Sequence, residues 1–116
     1  FLLGHLQNVF SYLSRAKLFI LSSLWEDPGW VLLEAAASNT LILSSDCQNG
    51  PSEIIDNNNA GQLYKVDNEQ DFINKFNQIT SLDKMQIDSK KLLAKKKSYL
   101  FTKFQHFKNL EKIIST

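Results

Sequence analysis

Short apolar runs alternate with polar and helix-patterned segments along the first half of the chain. The runs Leu18–Leu21 and Leu41–Leu43 have the length of strands, and their continuous apolar character is typical of strands buried on both faces. A third run, Gln62–Val66, follows Gly61. Helix-patterned segments separate the three runs, so the order of elements predicts an α/β fold in which helices flank a parallel sheet.

The segment before these strands carries two further elements. Phe1–Leu3, followed by Gly4, has the pattern of the end of a buried strand. Val9, Phe10, Tyr12 and Leu13 then give one apolar face, which predicts a short helix from about Leu6 to Arg15.

The helix between the first two long runs has clear start and stop signals. Asp27 suits the N-cap position and Pro28 the first helical position, where its missing N–H is not needed. The apolar residues that follow predict a helix packed tightly on the sheet, and Asn39 is expected to end it. After the turn at Asn49–Pro51, Ser52 is expected to cap a short helix that runs through Ile55.

Beyond Asp67 the pattern is helical to the end of the chain. Phe72, Ile73, Phe76 and Ile79 form one apolar stripe, and a second stripe runs from Phe101 to Ile114. Between them, Asp83–Ser98 fits either one helix or two. We therefore expect a helical C-terminal tail after the sheet.

Composition limits the class of protein. The chain has 116 residues, of which 43% are hydrophobic and 22% charged, as expected for one globular domain. No apolar run approaches the roughly 20 residues of a membrane span. A single cysteine, Cys47, rules out an internal disulfide and favours a reducing cytoplasmic setting. Because the sequence begins with Phe1 and has no signal peptide, we expect a piece of a longer protein.

Positive charge is concentrated at the C-terminal end. Nine of the 13 lysines and arginines lie after position 83. The favoured interpretation is a solvated helix surface, because lysine side chains are mostly exposed. Peripheral contact with an anionic membrane remains an alternative for this lysine-rich tail. No nucleic-acid partner is expected.

Two glutamates, Glu26 and Glu34, bracket the crossing from the first long run to the next helix. Ligands of α/β sheets usually bind at such strand-to-helix crossings. A carboxylate within an apolar stretch is also costly unless it has partners. The pair is therefore a candidate site.

The order of motifs around these glutamates resembles a known enzyme family. Leu21-Ser22-Ser23-Leu24-Trp25-Glu26 is followed by Glu34-Ala35-Ala36, then by Thr40-Leu41-Ile42-Leu43-Ser44 and by Gly50-Pro51-Ser52-Glu53-Ile54-Ile55. This arrangement is similar to the C-terminal half of retaining glycosyltransferases of group 1, or family 4, which have two Rossmann-like domains in the GT-B fold. The resemblance implies a partial C-terminal donor-binding domain over residues 1–116, with an acceptor-binding N-terminal domain elsewhere in the protein.

The resemblance also implies roles for individual residues. Glu34 would accept hydrogen bonds from the two ribose hydroxyls of a nucleotide, and Glu26 would act at the donor sugar as the catalytic carboxylate, though not as a nucleophile. Backbone donors of Gly29, Trp30 and Val31, at the start of the helix, would receive the phosphates. If Asp27 caps that helix, its carboxylate would compete for the same donors.

Substrates and partners follow from the same resemblance. The donor would be a UDP-type or GDP-type nucleotide sugar, with no metal and no further cofactor, because no group of residues has the spacing of metal ligands. The acceptor would be a saccharide or a glycolipid in polysaccharide or glycolipid assembly. The chain alone would bind nucleotide weakly and transfer no sugar.

Other interpretations stay open from the sequence. A nucleotide-sugar epimerase has a similar fold, although the spacing and setting of the glutamates favour the transferase, and a non-catalytic nucleotide-binding or scaffold module is a second alternative. His5, Cys47 and Glu53 are better explained by structural roles than by chemistry. Trp25 and Trp30 fit either core packing or stacking on a sugar or base.

Overall fold

The computed structural model describes residues 1–115. Its centre is a parallel sheet in the order β1-β2-β3, formed by Phe19–Leu21 (β1), Ile42–Ser45 (β2) and Gln62–Tyr64 (β3). The α-helices of the described residues are Phe10–Leu13 (α1), Trp30–Ala37 (α2), Pro51–Ile55 (α3), Glu69–Thr80 (α4), Lys84–Ser98 (α5) and Lys103–Ile114 (α6). The predicted α/β fold, with a parallel sheet between helices and a helical C-terminal tail, is confirmed.

Helices cover both faces of the sheet. On one face, a buried cluster joins Ile42 of β2 to Leu32 of α2, Ile55 of α3 and Ala94 of α5. On the other face, Leu43 packs with Tyr64 of β3 and Ile79 of α4. Because neighbouring residues of a strand face opposite sides, β2 contributes to both clusters and is completely buried.

The first residues do not form the expected strand. Residues 1–9 lie outside any helix or strand, and Phe1 and Leu2 are fully exposed. A strand forms only beside a hydrogen-bonded neighbour, and this segment pairs with none of the three strands. The helix predicted over Leu6–Arg15 is shorter in the structure and forms only α1. Helices in proteins depend on burying an apolar face, and Leu13 is the only buried residue of this one.

The start of α2 also differs from the prediction. The helix begins at Trp30, and its N-cap is Gly29 in a left-handed conformation with φ of 83°. Neither Asp27 nor Pro28 lies in the helix, and the peptide bond between them is cis. Because the left-handed Gly29 occupies the N-cap position directly before Trp30, Asp27 lies two residues too early to cap the helix. The end is as predicted, since Asn39 follows α2 with φ of 59°.

The short helix α3 begins two residues earlier than expected. Pro51 is its first residue and Gly50 its N-cap, with no side-chain hydrogen bond at the cap, so Ser52 lies inside the helix and does not cap it.

The strand boundaries move by one or two residues. β2 continues through Ser44 and Ser45, which are buried although polar, because each hydroxyl donates to a backbone carbonyl. β3 ends at Tyr64 rather than Val66. β1 is not buried on both faces, because it is an edge strand of the sheet and Ile20 is 41% exposed.

In the C-terminal region, the segment that fitted either one helix or two forms a single helix. Asp83–Ser98 gives one helix, α5, which starts with a capping box between Asp83 and Gln86. A 3₁₀ turn, Tyr99–Phe101, joins it to α6. None of the helices in residues 1–115 has the length and apolar character needed to cross a membrane.

Candidate functional site

Side-chain hydrogen bonds link the carboxyl ends of the three strands. Ser45 donates from its hydroxyl to the carbonyl of Ser23 at 2.6 Å, and the Tyr64 hydroxyl donates to the carbonyl of Leu21 at 3.0 Å. Burial raises the pKa of Tyr64 above its ordinary value. The end of β1 is therefore fixed by both other strands.

Glu26 lies in the loop after β1 and is partly buried. The Ser23 hydroxyl donates a hydrogen bond to its carboxylate. Its side chain also lies close to Gly29, since a Cβ added at that glycine would lie 3.7 Å from both the Cβ and the Cγ of Glu26. The loop thus holds this carboxylate beside the N-terminal end of α2.

The start of α2 keeps its backbone donors free of side-chain acceptors among the described residues. No side chain caps the helix, and Leu32 already donates to the carbonyl of Gly29 at 3.0 Å. The N–H groups of Trp30 and Val31 belong to the first turn, where helix geometry supplies no partner. The competition expected from Asp27 therefore does not arise.

A close backbone contact fixes this helix start against the next loop. Gly50 has φ of 137°, and a Cβ added there would lie 2.2 Å from the carbonyl oxygen of Pro28. Only glycine fits such an approach. The loops after β1 and β2 are thereby held against each other.

Glu34 lies one helical turn after Trp30, on the same face of α2. Both line a mainly apolar cavity of about 390 Å³, which we call the Glu34 cavity. Its other walls include Phe10 of α1 and Tyr99 and Phe101 of the 3₁₀ turn. A half-buried carboxylate thus lies among aromatic rings in a space of the size that small ligands occupy.

The structure brings together only some of the residues selected from the sequence. Trp30 and Glu34 share the cavity, whereas Glu26 adjoins Gly29 and does not line the cavity. Val31 is half-buried against the core, so only its backbone is suited to binding. Sequence reasoning missed Phe10 and Tyr99 as site residues. Phe10 belonged only to the apolar face of the first predicted helix, and no pattern indicated Tyr99.

The other residues considered from the sequence, His5, Cys47 and Trp25, do not line the Glu34 cavity. His5 is exposed and Cys47 is buried as a free thiol. Trp25 is 59% exposed, which argues against the packing role considered for it. Within residues 1–115, no three His, Cys, Asp or Glu side chains are grouped so that they could hold a metal ion.

Comparison with known proteins now identifies the family. The profile of the family "Glycosyl transferases group 1" matches residues 1–99. This chain belongs to the group 1 glycosyl transferases. The family is the one that the glutamate spacing and the motifs around it indicated.

One sequence relative and two solved structures are similar to this group 1 chain. It is 40% identical over 55 residues to an uncharacterized glycosyltransferase of Methanocaldococcus jannaschii, covering 47% of this chain and 14% of that protein. It superposes on a glycosyltransferase from Rickettsia africae with a TM-score of 0.81 and 20% identity, over 93% of this chain and 29% of the other. It also superposes on a sucrose-phosphate synthase from Thermosynechococcus elongatus with a TM-score of 0.73 and 17% identity, over 92% of this chain and 28% of the other.

The similarity covers only part of each relative. Because the two solved structures are less than 25% identical to this chain, they show its fold alone. The chain spans less than a third of the length of each of the three proteins. The family and the fold together confirm the resemblance to the C-terminal domain of a GT-B glycosyltransferase.

Proposed function

We propose that this chain is the donor-binding part of a group 1 glycosyl transferase and that it binds a UDP-type or GDP-type nucleotide sugar. The observation that carries the proposal is the position of Glu34, inside an aromatic-walled cavity and one turn from the uncapped start of α2. A carboxylate, flat rings and free backbone N–H groups are the three kinds of contact that a nucleoside diphosphate needs.

The nucleoside would occupy the Glu34 cavity. A carboxylate accepts hydrogen bonds through two oxygens, which suits the vicinal hydroxyls of ribose. Phe10 and Tyr99 are 49% and 60% exposed, so their rings are accessible to a base. Stacking on aromatic side chains would add affinity with little dependence on the identity of the base.

The diphosphate would lie at the start of α2. The backbone N–H groups of Trp30 and Val31 and the positive end of the helix favour a phosphate. As the sugar leaves, negative charge grows on the diphosphate, and donors that are already in place stabilise it.

Glu26, oriented by Ser23, would face the donor sugar and support the positive charge at its anomeric carbon. We propose transfer with retention, without a metal, and without a nucleophilic role for Glu26.

The complete enzyme would need more than this chain. We propose that residues 1–116 are a partial C-terminal domain, that an N-terminal domain binds a saccharide or lipid-linked acceptor, and that the chain alone transfers no sugar. Polysaccharide or glycolipid assembly in the cytoplasm is the setting we infer.

A nucleotide titration followed by NMR tests the donor site. UDP, GDP and ADP would be added to the chain and to its Glu34→Gln variant, with Glu111→Gln on α6 as the matched control. We expect Glu34→Gln to weaken binding about tenfold or more, because it removes a charge that accepts two hydrogen bonds, and Glu111→Gln to leave it unchanged. No binding by any of the three nucleotides would instead favour a scaffold without a donor site.

Glu26 needs a separate test because its proposed partner is the sugar. Glu26→Gln should weaken binding of the correct nucleotide sugar while leaving the affinity for the free nucleoside diphosphate within about twofold, a difference below 0.5 kcal/mol. Equal weakening of both ligands would assign Glu26 to the nucleotide.

Peripheral membrane contact is a second, independent proposal for the lysine-rich end of α5. Lys97 donates to the Glu53 carbonyl and lies 3.4 Å from the Asp56 carboxylate, so Lys95 and Lys96 are better placed to meet lipid head groups. Reversing both charges should abolish sedimentation with anionic vesicles. Unchanged sedimentation would remove the proposal.

A further inference from the structure

A second cavity adjoins the Glu34 cavity and has a different chemical character. It has a volume of about 720 Å³ and lies between the start of α2, the helix α3 and the junction of α5 with α6. Trp30, Phe101 and Thr102 line both cavities, so the two spaces share a wall. We call the larger one the cationic cavity.

Three basic side chains line the cationic cavity. Lys97 comes from the last turn of α5, Lys103 is the first residue of α6, and His106 follows three positions later on the same face of that helix. One carboxylate, Glu53, lines the same space. The cavity therefore carries an excess of basic groups beside an apolar wall.

The lysines are not equivalent. Lys97 forms an ion pair with Asp56 at 3.4 Å, which offsets part of its charge. Within residues 1–115, Lys103 has no salt bridge to any carboxylate. Lys103 is therefore the ammonium best able to bind an added anion.

We propose that the cationic cavity binds the phosphate groups of the nucleotide whose nucleoside lies in the Glu34 cavity, with Lys103 as the principal contact. This inference rests on the proposed function. The shared wall would let one ligand place its nucleoside against Glu34 and its phosphates beside α6. An ammonium group acts as a point charge on phosphate, and hydrogen bonds between charged groups are the strong ones. The C-terminal helix would thus add side-chain cations to the backbone donors at the start of α2.

Binding of uridine, UDP and inorganic pyrophosphate, followed by NMR on the full chain, tests the inference. GDP and guanosine would replace UDP and uridine if the base is guanine. We expect Lys103→Gln to weaken UDP and pyrophosphate about fivefold to tenfold and to leave uridine unchanged, because only the first two carry phosphate. Lys103→Arg should retain most of the affinity. His106→Gln should weaken the same two ligands to a smaller extent.

Lys84→Gln is the matched control, because Lys84 is the first residue of α5 as Lys103 is of α6, and it does not line the cavity. Circular dichroism of each variant checks that folding is intact. The inference is overturned if uridine and UDP bind equally well, or if Lys103→Gln and Lys84→Gln have the same effect.

Glu34→Gln separates this inference from the proposed function. It should weaken uridine and UDP but leave pyrophosphate unchanged. If it does so while Lys103→Gln has no effect, the donor site stands and the role of α6 is wrong. If only pyrophosphate binds, and through Lys103, the anion site stands and the nucleotide function is wrong. If none of the three ligands binds, both are wrong.

Discussion

Helix α2 lines both cavities and α6 lines the cationic cavity, but the two helices are held in very different ways. Leu32, Ala35 and Ala36 of α2 are completely inaccessible to solvent. Residues Lys103–Ile114 of α6 include no buried side chain, and Phe107 and Ile114 are 63% and 81% exposed. The main packing partner of α6 is the 3₁₀ turn that precedes it.

This difference separates two kinds of contribution to a binding site. The core fixes the position of Glu34, because its neighbours on α2 are locked by close packing. Lys103 and His106 lie at the start of a helix that adds little to the core. Substitutions in and around α2 should therefore change both stability and binding, whereas those on α6 should change binding alone.

The largest effect on stability is expected at Gly50. In Gly50→Ala the new methyl group would meet the Pro28 carbonyl at 2.2 Å, at a φ of 137° that alanine rarely adopts. Strain and overpacking together should lower the free energy of unfolding by about 2–6 kcal/mol. Urea denaturation followed by circular dichroism would measure it.

Gly4→Ala is the control for this substitution. Gly4 also has positive φ, 65°, but a Cβ there meets nothing within 4 Å, so only the conformational strain of about 1–2 kcal/mol should appear. Equal effects at the two glycines would show that the contact between the loop after β2 and the start of α2 does not fix the helix.

Leu32→Ala tests the anchoring of α2 itself. Leu32 is fully buried, so removing its side chain should leave a cavity and cost about 2–5 kcal/mol. Leu24→Ala, at a leucine that is 71% exposed, should stay within about 0.5 kcal/mol. A loss below 1 kcal/mol at Leu32 would contradict the claim that the core holds this helix.

Tyr64→Phe tests the link between β3 and the end of β1. Losing the hydrogen bond to the Leu21 carbonyl should cost about 1 kcal/mol at pH 8. Because burial raises the pKa of Tyr64, the folded state favours the protonated phenol. This stabilisation is complete below the unfolded pKa of about 10 and is lost as the pH rises through the folded pKa.

The difference in stability between the original chain and Tyr64→Phe should therefore shrink above pH 10, since phenylalanine has no proton to lose. Urea denaturation at pH 8 and pH 11 would show it. A difference that grows with pH would mean that the phenol is ionised more readily in the folded state.

The anchored region is also the part of the fold that the sequence predicted best. The apolar runs ending at Leu21 and starting at Leu41 located β1 and β2, because a buried parallel strand leaves few polar positions. Family motifs added the relation between Glu26 and Glu34. The pattern did not predict that β2 continues through Ser44 and Ser45. Ser44 donates to the adjacent carbonyl of Ser45, whereas the partner of Ser45 is the distant carbonyl of Ser23, which a local pattern cannot reveal.

Long-range features could not be predicted in the same way. Phe10 and Tyr99 line the same cavity as Glu34 although they are far apart in the sequence, and no local pattern indicates that they share it. The start of α2 differs from the prediction because Asp27-Pro28 has the composition of a helix start, whereas the left-handed conformation of Gly29 makes Trp30 the first helical residue. The backbone conformation of Gly29 therefore determines where α2 begins.

The smallest effect on stability is expected on α6. Leu110→Ala removes the same atoms as Leu32→Ala, but Leu110 is 43% exposed and belongs to a helix without a buried residue. We expect a loss within about 0.5 kcal/mol, because a partly exposed side chain leaves no closed cavity behind. Parallel urea titrations of the two alanine variants would measure the contrast. A loss at Leu110 as large as that at Leu32 would mean that α6 is part of the cooperative core, and substitutions at Lys103 and His106 would then have to be judged for stability before they are judged for binding.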